Sequence, residues 1–521
     1  MVNLNMKKNA KGINQLRIGA VMSYLNMAIG SLIPMFYTPL MLQLLGQNEY
    51  GLYRLSTSVT SYLSLISFGI GSAIVRYLIK FRVQQDKDGE QQIFGLFNVI
   101  FWIISAITLV AGIVICVVTP FVYSASLSDV ELSKMQFMII VLTTTTAISF
   151  MSAPYTSVVT SHEKFIFLQI INILTTVINP IVNIVVLLLG FKSIGMVFTS
   201  LVLTVVIRIV YIIYVRKSIN LKPKYSKMPT YLVKEILVFS FWIFVANVVN
   251  QLYNTTDTII IGAIPALATV GVAVYNIGAT FSTMMSSFSV GLMSVTTPKV
   301  NTLVFSNNSN SELTDLMIRI GRLQSYIVSI VCTGFIAFGQ PFIALWAGEG
   351  YEDAYWVAIA TMIPTCIPLV QNIALSIIVA QNKHRFRSLV YLAIAVANVL
   401  GTIACVNYFG IIGAAVVTGV ASIIGQGFVM NWYYWKKIGL EIPRFWKNLA
   451  KLFVIPILMC VLTLIIKTFV VFDSWITLFA GIIVYALVFA LANWIFVMND
   501  YEKDIFRGPV RRVAGIFKKK G

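Results

Sequence analysis

Charge is scarce in this chain: 11% of its 521 residues are charged, against about 25% in an ordinary soluble domain. A chain this poor in charge cannot cover a globular surface that faces water on every side, so a fully water-facing fold is excluded. Histidine occurs only twice, at His162 and His384, far apart and without an acidic cluster, which leaves no histidine-based metal site. The five cysteines (Cys116, Cys332, Cys366, Cys405 and Cys460) stand singly inside apolar stretches, with no C-x-x-C pair. Neither a zinc site nor a disulfide framework follows from that spacing. Gly69-Ile70-Gly71 lacks the strand and third glycine of a dinucleotide fingerprint. Asp86-Lys87-Asp88 has the D-x-D form that holds a metal–nucleotide, but no nucleotide-binding domain surrounds it, and it is read as a solvated loop.

What is abundant is apolar: 58% of residues are hydrophobic. A helix needs roughly 20 apolar residues to cross the hydrocarbon core of a bilayer. Fourteen runs meet that measure: 16–42, 51–79, 93–121, 135–159, 165–190, 194–215, 236–262, 268–298, 318–346, 354–380, 386–408, 411–435, 450–471 and 475–498. Gly190 and Gly410 mark the tightest turns between them. Lys7, Lys8, Lys11 and Arg17 precede an apolar stretch too long for a signal peptide, so it is expected to stay as the first helix. The fold class is therefore an all-α integral membrane protein with about fourteen transmembrane helices.

Basic residues outnumber acidic ones, 38 to 19, but they form no compact basic face and no nucleic-acid motif. They alternate with the spans instead. Even-numbered connections carry Lys80, Arg82 and Lys87, then Lys164, then Arg216, Lys217, Lys222, Lys224 and Lys227. Further on they carry Lys299, Arg319 and Arg322, then Lys383, Arg385 and Arg387, then Lys436, Lys437, Arg444 and Lys447. Odd-numbered connections carry Glu49, Asp129, Glu131, Glu349, Glu352, Asp353 and Asp473, with Lys192 as a basic exception. The tail ends in Arg511, Arg512 and Lys518 to Lys520. Positive loops stay in the cytoplasm, so both termini are expected there. An odd number of spans would scramble the pattern.

Two stretches also resemble each other. Tyr53 and Gly69 in span 2 correspond to Tyr275 and Gly291 in span 8, and Ser161-His162-Glu163-Lys164-Phe165 matches Asn382-Lys383-His384-Arg385-Phe386. The expected organisation is a six-helix lobe at 1–215, a basic linker at 216–235, a second six-helix lobe at 236–435, and two extra helices with a basic tail at 436–521. Six spans per unit give both lobes the same orientation, a parallel repeat of the kind that serves alternating access.

Three motifs carry a family resemblance: Leu45-Gly46-Gln47-Asn48-Glu49-Tyr50-Gly51-Leu52-Tyr53, then Phe68-Gly69-Ile70-Gly71 through Arg76-Tyr77, then Thr256-Asp257-Thr258 through Gly262. With the fourteen-span layout, the chain resembles the polysaccharide-transport branch of the MOP exporter superfamily, related to lipid II flippases and to MATE multidrug exporters. The resemblance implies a flippase that moves undecaprenyl-diphosphate-linked oligosaccharide to the outer leaflet for O-antigen, capsule or a related glycan. It implies a bacterial or archaeal cytoplasmic membrane, a polyprenyl-diphosphate oligosaccharide partner, other polysaccharide-assembly proteins beside it, and no nucleic acid. In similar lipid II flippases spans 13 and 14 help form a groove for the lipid tail. The alternative is an ion-coupled small-molecule exporter of the MATE type, against which the two extra spans argue. A membrane enzyme is a poor reading, because no outer loop is long enough to house one. No catalytic residue, cofactor or bound metal is assigned. Without an ATP-binding motif, the drive is left to sodium, protons, membrane potential or product withdrawal.

An ionisable residue at bilayer depth costs about 2.5–3.5 kcal/mol or more and needs a reason. Asp257 lies in span 7 among Asn247, Asn250, Gln251, Asn254, Thr255 and Thr256, a run too polar for a lipid-facing helix. It is read as cavity lining or a cation-coupling site, with an interhelical hydrogen-bond patch as the alternative; Asn276, the repeat counterpart of Arg54, belongs with it. Arg208, Arg76 and Arg54 are candidates for the diphosphate, since arginine binds phosphate oxygens bidentately. Anchoring at the interface competes for Arg54 and Arg76, and anchoring beside Asp473 is expected of Lys467. Pro34 and Pro39 in span 1 are hinge candidates, and Pro154, Pro180, Pro364 and Pro368 mark further kinks.

Overall fold

The structure, a computed structural model, describes residues 2–225, 230–305, 309–381, 383, 385–504 and 507. Lys227, Asn382, His384 and the tail residues Arg511, Arg512 and Lys518 to Lys520 lie outside them. Among the described residues every regular element is helical. In chain order the helices are α1 (Val2–Leu45), α2 (Gln47–Ser61), α3 (Ile70–Val83), α4 (Lys87–Tyr123), α5 (Asp129–Ser161), α6 (Phe165–Leu188), α7 (Lys192–Tyr214) and α8 (Thr230–Ala263). They continue with α9 (Ala268–Phe305), α10 (Asn310–Ala347), α11 (Ala354–Val370), α12 (Asn372–Ala380), α13 (Arg385–Ser422), the short α14 (Met430–Tyr433), α15 (Ile442–Ile466) and α16 (Trp475–Phe496).

Each of the fourteen expected spans falls on helix. By length and apolarity, nine helices among the described residues are able to cross a membrane, and residues 386–438 count as one of them although they hold two expected spans. A bent pair, α11 with α12, makes a tenth. The remaining expected spans, 51–79, 236–262 and 268–298, lie on α2 with α3, on α8 and on α9. Large apolar side chains such as Phe121 and Ile476 stand exposed, as a lipid solvent requires.

The helices break where the backbone is forced to. Span 2, expected as one helix, is two. A 3-10 turn at Tyr62–Ser67 follows α2, and Phe68 and Gly69 take left-handed φ values of 47° and 69° before α3 begins. Only glycine enters that region without steric cost. α11 and α12 meet at 48° beside Gln371, just after Pro368, whose missing N–H removes a helix hydrogen bond. Gly410 interrupts α13 with φ 60° and ψ −149°. Pro34 and Pro39 both lie inside the single helix α1.

One local construction occurs twice, 219 residues apart (434 less 215, 386 less 167). Val215–Ile219 and Tyr434–Ile438 are both π-helical, and each ends in a left-handed cap, Asn220 and Gly439. In each, the next leucine N–H donates back across the cap, Leu221 to Val215 and Leu440 to Tyr434. A stacked aromatic pair accompanies both: Phe167 on Tyr214 with centroids 3.7 Å apart, and Phe386 on Tyr433 at 4.2 Å.

The chain divides into two compact units, residues 1–276 with 398–414, and residues 277–397 with 415–521. In the first, α3, α4, α5 and α7 enclose a core around Ile74, Phe94, Phe97, Phe101, Val158 and Tyr211. A Cβ on Gly112 of α4 would meet Thr143 Cβ of α5 at 2.7 Å, so glycine is what lets these two backbones approach. Small residues at helix contacts serve this purpose in lipid, where no hydrophobic force drives helices together. In the second unit, α10, α15 and α16 pack around Phe338, Met459, Leu478, Tyr485 and Phe489.

Candidate functional site

Inside the first unit, α2, α8, the start of α9 and the 398–414 part of α13 assemble a buried polar cluster. Asp257 of α8 is 3% exposed. Its Oδ2 accepts from the Tyr275 hydroxyl at 2.5 Å and its Oδ1 from the Thr402 hydroxyl at 3.0 Å. One residue along α8, Thr258 Oγ1 accepts from Asn276 Nδ2 at 3.2 Å. Asn276 Oδ1 in turn accepts from Arg54 Nε at 3.1 Å and Nη2 at 2.8 Å. Arg54 and its repeat counterpart Asn276 are therefore bonded to each other. That contact was absent from the sequence reading, although the 222-residue correspondence between Tyr53 and Tyr275 already paired the two positions.

The end of α2 and the start of the 3-10 turn make two more polar contacts with α8. Tyr62 and Thr256 hydroxyls share a hydrogen bond of 2.6 Å, and Gln251 Nε2 donates to Ser61 Oγ and, at 3.0 Å, to Thr255 Oγ1. At the other end of α2, Thr269 Oγ1 donates to Asn48 Oδ1 at 3.3 Å. The structure thus brings together Asp257, Thr256, Gln251, Asn276 and Arg54. Asn250 and Asn254 stand exposed on α8, and Asn254 Nδ2 donates to the Asn250 carbonyl at 2.8 Å. Arg76 is exposed on α3, and Arg208 is half-buried on α7.

The cluster's donor set is all oxygen: a carboxyl, a phenol and an aliphatic hydroxyl. Such a set suits a hard monovalent cation or a proton and offers no soft ligand. Among the described residues no group of three or more His, Cys, Asp or Glu side chains is placed to hold a metal ion.

A second polar centre lies in the other unit and escaped the sequence reading. Glu502, 1% exposed, receives Arg322 Nε at 2.5 Å, Arg322 Nη2 at 2.9 Å and the Tyr326 hydroxyl at 3.0 Å. It also accepts from the Asn499 N–H at 3.0 Å, while its own N–H donates to Asn499 Oδ1. Burial pushes the Glu502 carboxyl up, but the hydrogen bonds from Arg322, Asn499 and Tyr326 outweigh it and leave the group below the usual 4.5. The signal was available: Asn499-Asp500-Tyr501-Glu502 has the N-x-x-E form of a capping box. Arg319 adds a cation–π contact, 4.7 Å from the centroid of Tyr501.

Other sequence readings resolve locally. Asp86 caps α4 by accepting from the Gly89 N–H at 2.8 Å, and Asp88 pairs with Lys224 at 2.5 Å. Lys467, for which anchoring is expected, donates to Gln340 Oε1 of α10 at 3.0 Å. A cavity of about 460 Å³ opens beside it, lined by Phe338, Met459, Leu462, Ala480, Val484 and Tyr485 among others.

Residues 40–356, more than half of the chain, match the family described as Polysaccharide biosynthesis protein. No curated protein matches. Several solved structures share the fold. One is a lipid II flippase, MurJ, in an inward closed conformation, at 15% identity and TM-score 0.65, covering 92% of this chain and 100% of that one. Another is an inward-facing multidrug resistance MATE family transporter of the MOP superfamily, at 15% identity and TM-score 0.56, covering 84% and 99%. A third is the Vibrio cholerae MATE transporter VcmN in the bent form, at 14% identity and TM-score 0.52, covering 80% and 96%.

Proposed function

We infer from one premise, that this chain belongs to the polysaccharide biosynthesis protein family and is a multi-pass MOP-superfamily transporter rather than an enzyme, that it is a lipid-linked oligosaccharide flippase. It carries a polyprenyl-diphosphate-linked oligosaccharide from the cytoplasmic to the outer leaflet by alternating access. The observation that carries this reading is the cavity between α10, α15 and α16. Its lining is almost wholly apolar side chains, and an isoprenoid tail requires that kind of surface. A water-soluble cargo would gain nothing there. The twice-built π-helical terminus supports two equivalent six-span lobes, 1–215 and 236–435, with the linker 216–235 between them and the two extra helices after. The loop charges support both termini in the cytoplasm.

Arg208 is the residue to bind the diphosphate, since a half-buried guanidinium on a membrane helix offers phosphate a bidentate partner. Arg54 is already engaged by Asn276 and serves the cluster, and Arg76 receives the head group at the cytoplasmic end of α3. Asp257, with Tyr275 and Thr402, takes sodium or a proton as the coupling ion. In proteoliposomes loaded with labelled undecaprenyl-diphosphate oligosaccharide, the protein is expected to expose glycan to an external glycosidase. Arg208→Ala is expected to lose at least ten-fold of that rate, about 1.4 kcal/mol, with folding intact. No transfer of several lipid-linked glycans, together with ion-driven efflux of cationic dyes, would move the assignment to the multidrug class.

A further inference from the structure

A carboxyl and an imidazole meet at the ends of α4 and α5, far in sequence from Asp257. His162 caps α5. Its Nδ1 lies 2.9 Å from the Val158 carbonyl oxygen and 3.3 Å from Ser161 Oγ, whose own hydroxyl is donated to that same carbonyl at 2.9 Å. A carbonyl oxygen only accepts, so Nδ1 carries the hydrogen. In a neutral ring Nε2 is then a bare acceptor. Nε2 faces Glu90 Oε1 at 3.5 Å. Glu90, in the first turn of α4, is 5% exposed, and this oxygen is buried without a hydrogen-bond donor. A buried acceptor that faces a second acceptor carries a desolvation penalty unless a proton joins them.

We propose that Glu90 and His162 form a proton-binding site, holding one proton between Oε1 and Nε2 and separate from the Asp257 cluster. The groups around it are mostly cationic. Arg82 of α3 donates to the Ser161 carbonyl and lies 3.8 Å from Glu163; Lys87 precedes Glu90 on α4, and Lys164 follows the α5–α6 turn. Burial holds the imidazole below the usual histidine range, and Arg82 and Lys164 add to that against the bond to Val158. The ring therefore stays neutral and the shared proton sits nearer the carboxyl. With the proton, an O–H···N bond ties α4 to α5; without it, a carboxylate and a lone pair repel. Proton occupancy sets how closely the ends of these two helices approach, ends that are cytoplasmic in the topology proposed above.

The chain has only two histidines, so the full-length protein labelled with 15N-histidine in nanodiscs gives two imidazoles, and His162→Gln assigns them. At neutral pH His162 is expected as the Nδ1–H tautomer with Nε2 hydrogen-bonded. Glu90→Leu moves the Nε2 resonance to that of a free acceptor; Glu90→Gln, which donates from its amide, does not. Raising the pH moves wild type toward the Leu variant and leaves the Gln variant in place, while His384 and thermal stability report the fold. An Nε2–H tautomer in wild type, or the same Nε2 response in wild type and Glu90→Gln, would overturn the proposal. Neither readout needs a transported substrate, so the flippase reading stands or falls separately.

Discussion

Replacing Glu502 with Gln isolates one buried ion pair. Its side chain is 2% exposed and its partner Arg322 14%, so the variant leaves a guanidinium out of water without its counter-charge. Breaking such a pair costs about 3–5 kcal/mol. The lower end applies here, because the Gln oxygen still accepts from Arg322 or from Tyr326. About 3 kcal/mol corresponds to roughly a hundred-fold change in an equilibrium. The loss should be local: the contacts of Glu502 join only the segment after α16 to α10. Hydrogen exchange at the Glu502 amide, which donates to Asn499 Oδ1, is therefore expected to quicken about a hundred-fold while the amides of α10 keep their protection. The double variant Arg322→Met with Glu502→Leu should recover most of it, since an apolar pair carries no stranded charge. Acid should imitate the single variant. The folded carboxyl lies below its ordinary value, so its contribution is complete above about pH 4.5 and disappears as pH falls through the folded value. Protection within two-fold of wild type in Glu502→Gln would show that the pair does not hold this segment, and the reasoning would fail.

Gly51→Ala places a Cβ against the Thr269 carbonyl, a backbone atom that cannot swing aside. A destabilisation of about 1–3 kcal/mol is expected, read as a lowered thermal midpoint in detergent; an unchanged midpoint would refute that close approach. Ala480→Phe fills the cavity between α10, α15 and α16. It should abolish labelling of α16 by a polyprenyl photoprobe and slow flipping, and undiminished labelling would remove the cavity as the tail's seat.

The spans were legible because a twenty-residue apolar run has few other uses, and helix falls on every one of them. The breaks were less so. Gly69 is visible as a glycine, but no local pattern marks Phe68 beside it as left-handed too, with its ring against Phe244 at a centroid distance of 4.6 Å. The site was half legible. Asp257 and the polar run on α8 announced themselves by cost alone. Of the two residues that complete that site, Tyr275 stood out only as the repeat counterpart of Tyr53, and Thr402 is a threonine in an apolar helix, given meaning by what it faces. Glu502 was hidden by its position between Asp500 and Asp504 after the last span, where a run of acids reads as solvated. His162 was set aside and Glu90 went unnoticed, since distance along the chain conceals that the two side chains meet.

The contacts of α2 with α8 and α9 say something about what this surface is for. Four residues, Asn48, Arg54, Ser61 and Tyr62, make side-chain hydrogen bonds spread along α2 and the turn after it. Hydrogen bonds between membrane helices are worth about 0.6 kcal/mol on average, and those to a charged group about 1.5–3. Together they amount to a few kcal/mol, the scale on which two conformations of one protein exchange. An apolar surface of the same length would separate as readily in lipid, but it would not choose a register. Here each partner is specified, and Gly51 fixes how near the backbones come. If access alternates as proposed, α2 is held by contacts that define one state sharply and still release it, and the left-handed break at Phe68 and Gly69 closes the 3-10 turn that begins at the last of them.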